Sequence, residues 1–363
     1  MSYVDLLRGV LACLALYAGA AFIGDIVHQF LHWAARARWP ILARLGGMHE
    51  AHHQFMGPDL RINRKHQTQN LLSHRVPEYL TLVLATSAGF WILPRAVVLL
   101  TMAFETTLVL IGTLRGGLDS NHQEKRPRRW SHLGLMVGPM YHGLHHMFPE
   151  SYMGSVTRLF DVLFAKGCQI RGRRFAVTGA SGALGAPLVR ILERRGGHVT
   201  SLKFGRDYDY DDYSRLDPAL AQADVLVLCH GSKVQNAMQA NCDSFVAIIE
   251  RYRLHQKGLR PLEVWAVGSE IEAHPAWGDR DLEIYLRSKR AFARHARRYF
   301  HDVEMLYRHI VPSAFTSPMG KGLMSGRAAA TTAMFFISRG FRYIPVTYTG
   351  IAFLNWFRFV WPA

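Results

Sequence analysis

The chain has 363 residues, 49% of them hydrophobic, with 20 Phe and 8 Trp, which is material for two or three domains with sizeable cores. Lys and Arg outnumber Asp and Glu by 43 to 27, a net charge of +16; with no base-stacking or zinc-finger signature, nucleic acid is set aside and an anionic membrane surface is the expected partner. Four scattered cysteines, Cys13, Cys168, Cys229 and Cys242, show no C-x-x-C spacing, which excludes a disulfide framework and a thiolate metal site and suits a reducing, cytosol-facing environment.

In chain order, the first element is the apolar run at residues 9–24, which extends through Ile26 and Val27 and continues as a helix through His28 and His32. No cleavage context follows it, so it reads as a retained membrane helix rather than a signal peptide. Two further apolar runs, 79–93 and 96–114, are separated by Pro94-Arg95 and read as a helical hairpin with both ends on one side of the bilayer. Glu105 lies inside the second run and is expensive in lipid, so it is expected to face the protein interior. Basic clusters follow these segments at Arg61, Arg64 and Lys65, at Arg126, Arg128 and Arg129, and at Arg171, Arg173 and Arg174. The positive-inside rule puts all of them in the cytoplasm. The expected localisation is therefore integral and multi-pass, with the histidines and the C-terminal domain on the cytoplasmic side.

Three histidine clusters punctuate this half. "HQFLH" gives His28 and His32; "HEAHH" gives His49, His52 and His53; "HGLHH" gives His142, His145 and His146. Spacings of three and four place imidazoles on one helix face, and eight nitrogens are enough for two metal ions with positions left open for oxygen. Imidazole-rich sites suit iron, zinc or copper. H-x-x-x-H followed by two H-x-x-H-H motifs around membrane helices resembles the fatty acid hydroxylase/sterol desaturase superfamily, over about residues 5–165. The resemblance implies a di-iron centre that uses O2 and an external electron donor on a membrane lipid, with those eight histidines as ligands and His122 of "SNHQ" as a ninth. His66, His74 and His132 are further candidates left out of the ligand set, for which a loop or core role is at least as good a reading.

From Arg174 the pattern changes to buried strands alternating with helices: "RFAVTGA", "HVTSLKF", "ADVLVLCHG", "LEVWAVGS", "EMLYRHIVP" and a last strand "YIPVTY". This predicts an α/β Rossmann-type doubly wound parallel sheet, and with the first half gives two domains, an all-α membrane domain at 1–169 and a nucleotide-binding domain at 170–363. "TGASGALG" follows the first strand and opens a helix, which places Gly179, Ser181, Gly182 and Gly185 at a dinucleotide pyrophosphate. After the second strand, Lys203 and Arg206 suit a 2′-phosphate and favour NADP(H) over NAD(H), although Asp207 adjoins them. Further on, Tyr285 and Lys289 stand one helical turn apart, with Lys289 expected to lower the Tyr285 pKa, and Ser269 ends the strand before them.

This set resembles the short-chain dehydrogenase/reductase family over about residues 172–348, which implies that Ser269 orients substrate, Tyr285 moves the proton and Lys289 also holds the nicotinamide ribose. Asn241 is expected to complete a proton relay. The chain departs from that pattern at "LCHGS", at Pro312-Ser313 and in the short stretch between the second and third strands. Together the halves resemble the bifunctional sterol desaturase/short-chain dehydrogenase type. The expected function is di-iron, O2-dependent hydroxylation or desaturation of a sterol-like or fatty-acyl lipid coupled to alcohol/carbonyl interconversion. The alternatives are a nucleotide-binding or regulatory second half, and hydrocarbon formation from an aldehyde. The terminal stretch 350–363 is expected at a membrane interface, on the soluble core or at a subunit contact.

Overall fold

A computed structural model describes residues 2–123, 134–255 and 260–361. The basic cluster Arg126, Arg128 and Arg129, and His132, lie outside the described residues. Contacts divide the chain into two units, Met1–Gly167 and Cys168–Ala363.

The first unit is helical. Helix α1 (Tyr3–Ala34) begins at a capping box in which Ser2 and Asp5 satisfy each other's backbone, and runs unbroken past His32. Helix α2 (Pro40–Phe55) starts with proline in its first turn, where the missing N–H has no cost. A continuous helical rod then joins α3 (Gln67–Asn70), a widened turn at Leu71–Arg75 and α4 (Val76–Ser87), and tightens over Ala88–Trp91. Pro94 caps α5 (Arg95–Leu114), which returns alongside α4.

The expected hairpin is present, but its first arm differs from the run 79–93. The α-helix proper is α4, 12 residues long, which is short of the roughly 20 needed to span hydrocarbon. Among the described residues, α1 and α5 are the two helices long and apolar enough to cross a membrane. Glu105 is buried and accepts a 2.6 Å hydrogen bond from Thr86, and Tyr79 and Thr106 pair at 2.8 Å, so both arms are latched by polar contacts between them. Helix α6 (Pro139–Met147) and helix α7 (Leu159–Phe164) complete the unit. Asp161 on α7 accepts from Tyr141 on α6 and from the backbone of Met153 and Gly154, and Asp25 on α1 accepts twice from Ser155. These carboxylates tie α6 to α7 and the loop between them to α1.

The second unit runs β1 (Arg174–Thr178), α8 (Gly185–Arg194), β2 (His198–Leu202), α9 (Asp217–Gln222), β3 (Val225–Leu228), α10 (Ser244–His255), β4 (Leu262–Val267), α11 (Arg280–His301) and β5 (Met305–Pro312). It ends with a two-residue pair β6 (Phe315–Thr316) and β7 (Met324–Ser325), then α12 (Gly326–Ser338), β8 (Tyr343–Val346) and α13 (Ile351–Val360). The main sheet is parallel throughout, in the order β2-β1-β3-β4-β5-β8. Strands β3, β4 and β5 are buried at every position, which is why they read as unbroken apolar runs.

One core packs Phe245, Phe292, Tyr299 and Phe359 of α10, α11 and α13 on one face, and the other packs Leu188, Leu192, Met334 and Ile337 of α8 and α12 on the opposite face. The strand order reverses between β1 and β3, the crevice where doubly wound sheets take ligands. Only β2 lies outside β1, so the abbreviated stretch between second and third strands leaves β2 as a half-exposed edge. The β6–β7 pair was not expected, because two-residue strands carry no periodicity. Under the sheet, Glu263 is buried with Arg173 at 2.5 Å and Arg308 at 3.2 Å.

Candidate functional site

Nine imidazoles of the first unit fall into two groups: His28, His32, His49, His53 and His145, and His52, His122, His142 and His146. Within each group the ligand nitrogens lie within 4.8 Å of one another. Helical geometry dictates the division. On α2, His49 and His53 are one turn apart and enter the first group, while His52 between them turns to the second. On α6 the assignment is reversed: His142 and His146 enter the second group and His145 the first. Each H-x-x-H-H motif therefore serves both groups. The His28–His32 turn of α1 completes one, and His122, after α5, completes the other.

The Nε2 atoms face each other. His28 to His145, His32 to His28, His32 to His145 and His49 to His32 are 3.1–3.2 Å apart, and His53 to His32 is 3.4 Å. In the second group His142 stands 3.0 Å from His122 and 3.1 Å from His146. A neutral imidazole nitrogen takes part in one hydrogen bond, so His32 Nε2 with four nitrogen neighbours is not satisfied by any set of tautomers. Nitrogens bound at about 2.0–2.1 Å to one ion, at about 90–109°, would lie roughly 2.9–3.4 Å apart, which is the spacing found. The residues fit a metal ion in each group.

Outer contacts aim these rings: His145 Nδ1 faces the Ser151 carbonyl at 3.1 Å, and His122 Nδ1 faces Asp119 at 2.8 Å. Burial pushes His49, His52, His142, His145 and His146 well below the usual imidazole range, which leaves them neutral with lone pairs free.

His74, left out of the expected ligand set, sits at this centre. Its Nδ1 is 3.2 Å from His49 Nδ1, and its Nε2 is 3.6 Å from Glu78. It is an outer partner of a ligand; the sequence offered it as a candidate, but a single histidine without a neighbour at helical spacing did not distinguish that place from a loop or core role. His66 stays at the surface with Gln69.

In the second unit the turn after β1 is shaped by glycine. Gly179 has φ +64°, and a Cβ there would lie 2.6 Å from the Cys229 carbonyl carbon; one at Gly185 would lie 2.1 Å from the Gly179 oxygen. The turn thus brings the N-terminus of α8 close under β1, with Ser181 and Gly182 at its outer bend. Lys203 follows β2 directly, and its ammonium makes no hydrogen bond among the described residues. Arg206 is partly engaged: the Nε and Nη2 edge of its guanidinium donates to Asp207, at 2.9 and 2.6 Å.

Ser269 lies two residues past β4 and caps the turn Glu270–Ala273, with Glu272 completing a capping box. Tyr285 and Lys289 project from α11, and the Tyr285 hydroxyl lies toward Ser269, whose hydroxyl favours the phenolate against burial. The expectation that Lys289 lowers the Tyr285 pKa is corrected. Lys289 donates to the Val267 carbonyl at 2.9 Å and its ammonium is 5.7 Å from the Tyr285 ring centre, so burial dominates and pushes Tyr285 up to about 12. Burial pushes Lys289 down to about 8. Asn241 sits in a widened turn before α10 and donates to the Ser232 carbonyl at 2.6 Å and to Ser288 at 3.0 Å, which ties the "LCHGS" segment to α11. His230 of that segment bridges Thr178 and Ser244, each at 2.7 Å.

Two acids beside Ser269 were missed by the sequence reading. Glu272 accepts from the Ser269 N–H at 2.9 Å and faces His309 at 3.1 Å, which in turn meets Tyr307. Glu270 accepts from Ser313, Thr347 and Thr349 at 2.6 Å each and from the Ala352 N–H at 3.0 Å, donors that hold its carboxyl below the usual range against burial. Thus Ser313, the departure from the expected Pro-Gly, is a ligand of Glu270.

No protein-family model matches the chain. A monoglucosyldiacylglycerol epimerase from Synechocystis sp. is 27% identical over 250 residues, covering 60% of this chain and 60% of that protein. The chain thus matches less than two thirds of that relative's length. The matched share is more than either unit alone makes up, so the likeness runs across both. Among solved structures, a short-chain dehydrogenase from Burkholderia cenocepacia in complex with NADP aligns with 52% of this chain and 94% of its own, at 15% identity and a TM-score of 0.45. RhlG of Pseudomonas aeruginosa with NADP aligns with 49% and 96%, at 20% identity and a TM-score of 0.40. The chain thus joins a helical unit with two histidine groups, which fit a fatty acid hydroxylase type domain, to a Rossmann-like parallel-sheet unit, and its sequence is similar to that of a monoglucosyldiacylglycerol epimerase.

Proposed function

We propose that the chain is an integral membrane, multi-pass oxidoreductase that modifies a lipid at two centres facing the cytoplasm. Its histidine groups hold two iron ions that act with O2 and an external electron donor to hydroxylate or desaturate a sterol-like or fatty-acyl chain. Its second unit interconverts the resulting alcohol and carbonyl with NADP(H). The observation that carries this reading is the segregation of nine imidazoles into two groups whose inward nitrogens have the spacing of ligands around an ion.

The roles of the chain's own residues follow from their contacts. The imidazoles are neutral because they are buried, so they bind a cation without first losing a proton. Bound iron supplies the oxygen chemistry that side chains lack. In the second unit the α8 N-terminus and the Gly179–Gly185 turn take the pyrophosphate, and NADP(H) supplies or accepts hydride. Lys203 is the cation nearest the end of β2 for a 2′-phosphate. Ser269 holds the substrate oxygen next to the Tyr285 hydroxyl, which gives or takes the proton, and Lys289, turned from the Val267 carbonyl toward ribose and Tyr285, stabilises the phenolate.

A second reading is favoured by the name of the Synechocystis relative. On a glycolipid head group, NAD(P)+ held at the α8 turn would take hydride from one sugar carbon while Tyr285 takes the hydroxyl proton, and hydride and proton would return to the opposite face of the carbonyl, inverting that centre with no net oxidation and without the metal groups. Lipid profiling of cells with and without the gene, with metal content of the purified protein, separates the two. Oxygenated or desaturated chains with two irons support the first reading. An epimeric head group on unchanged chains supports the second, and a metal-free active protein contradicts the first.

A further inference from the structure

Helix α13 is predominantly apolar, with Asn355 buried and Arg358 exposed as its polar side chains. Its inner side is locked: Ala352 and Phe359 are buried, Phe359 stacks on His309 at 4.4 Å, the Ala352 N–H is held by Glu270, and the Ala352 carbonyl accepts from Tyr343 at 2.8 Å. Its outer side carries Phe353, Phe357 and Trp361, one turn apart along a single row, flanked by Leu354, Trp356 and the exposed Arg358. The five apolar side chains are 41 to 77% exposed. The inner contacts fix the helix in place, so the outer row has no route to burial within its own unit. A contiguous apolar surface of this kind marks an interaction site.

The neighbouring helix says what that partner is. The last turn of α11 abuts the end of α13: Arg297 donates to the Trp361 carbonyl at 3.1 Å, and His301 to the Phe359 carbonyl at 2.7 Å. The outward side of α11 is a row of arginines. Arg287 pairs with Glu283 and Arg290 donates to the Glu272 and His274 carbonyls, whereas the exposed Arg294 and Arg298, in the last two turns of α11, have no acidic partner among the described residues. An aromatic row bordered by unpaired arginines matches the interface of an anionic bilayer, in which Trp and Phe enter the acyl boundary and arginines meet head-group phosphates. A second copy is a poorer occupant, because a two-fold contact through this face would bring the arginine rows of both copies together. The same chain carries two helices of membrane-spanning length and composition, so a bilayer is the apolar phase at hand.

We propose that the outer face of α13, with Arg294 and Arg298 of α11, docks the second unit on an anionic lipid surface. The proposal concerns where this unit lies and is independent of which lipid chemistry the two sites perform. The test uses the full chain with Leu354→Cys carrying an environment-sensitive fluorophore, reconstituted in phosphatidylcholine vesicles with or without phosphatidylglycerol. The unlabelled-site protein serves as background.

The expected result is quenching by nitroxide-bearing lipids in the phosphatidylglycerol vesicles. R294E/R298E should weaken it on the order of fivefold or more per charge reversed, whereas R294K/R298K should retain it. Three results would overturn the proposal: a label quenched by aqueous iodide in both vesicle types, lipid quenching indifferent to charge reversal, or shielding from both quenchers with cross-linking between copies. Metal content and NADP(H) binding measured on the same samples report separately on the function proposed above, and unchanged NADP(H) binding shows that the charge-reversed protein is folded.

Discussion

The two units reach a chemical site by opposite routes. The first collects nine identical side chains from three helices and a loop into two nests, with carboxylates only behind them at Asp119 and Glu78. The second places few and dissimilar groups at the C-terminal ends of parallel strands, and surrounds them with buried acids, Glu270 and Glu272, that touch no expected ligand. A metal centre depends on converging lone pairs, so ligand identity and helical spacing nearly define it. A hydride site depends on the electrostatics of one phenol and one amine, which burial sets.

That comparison is open to test from its strongest consequence downward. His145→Ala removes an imidazole from the middle of the first group; oxygen-dependent lipid product should fall by at least about 10²-fold while NADP(H) affinity of the second unit is unchanged, as judged by product analysis and nucleotide titration. Equal losses in both would mean that the sites are not separate. Tyr285→Phe should do the reverse, with alcohol/carbonyl turnover falling about 10²–10⁴-fold and metal content constant. Unchanged product chemistry in that variant would support the purely nucleotide-binding alternative.

The histidine motifs were legible because i, i+3 and i+4 spacing on a helix maps directly onto space. The sharing of each triplet between two groups was not legible, because it depends on α2 and α6 facing each other, which no local pattern encodes. Likewise the strands of the main sheet were readable from the sequence, most of them as buried apolar runs, whereas "SEIE" at 269–272 gave no hint that one acid caps Ser269 and the other gathers Ser313, Thr347 and Thr349. The Arg206 contact was hidden for the same reason: the sequence shows that Asp207 is adjacent, and only the geometry shows that it takes the Nε and Nη2 edge of the guanidinium.

Smaller effects sharpen the electrostatic half of the comparison. Glu263→Gln leaves Arg173 and Arg308 buried without their carboxylate and should destabilise the second unit by about 3–5 kcal/mol, read as a shift of its chemical unfolding midpoint. Lys289 is held at about 8 in the folded chain against a usual 10.5, so between those pH values the unfolded chain binds more protons than the folded one. Stability should therefore rise with pH across that window by up to roughly 1.4 kcal/mol per unit, and Lys289→Met should flatten the rise. An equal slope in both proteins would assign the effect to other groups. Lys203→Ala should weaken NADP(H) relative to NAD(H) only several-fold, because an exposed cation on a phosphate contributes about 1 kcal/mol.

The central claim is that the imidazoles form two ion sites rather than one enlarged cluster. Metal counting on the intact chain, with His145→Ala and His142→Ala as single-group variants, tests it most directly. The account predicts two ions per chain in the parent and a different single ion retained in each variant. One ion in the parent, or loss of both ions from either variant, would contradict it.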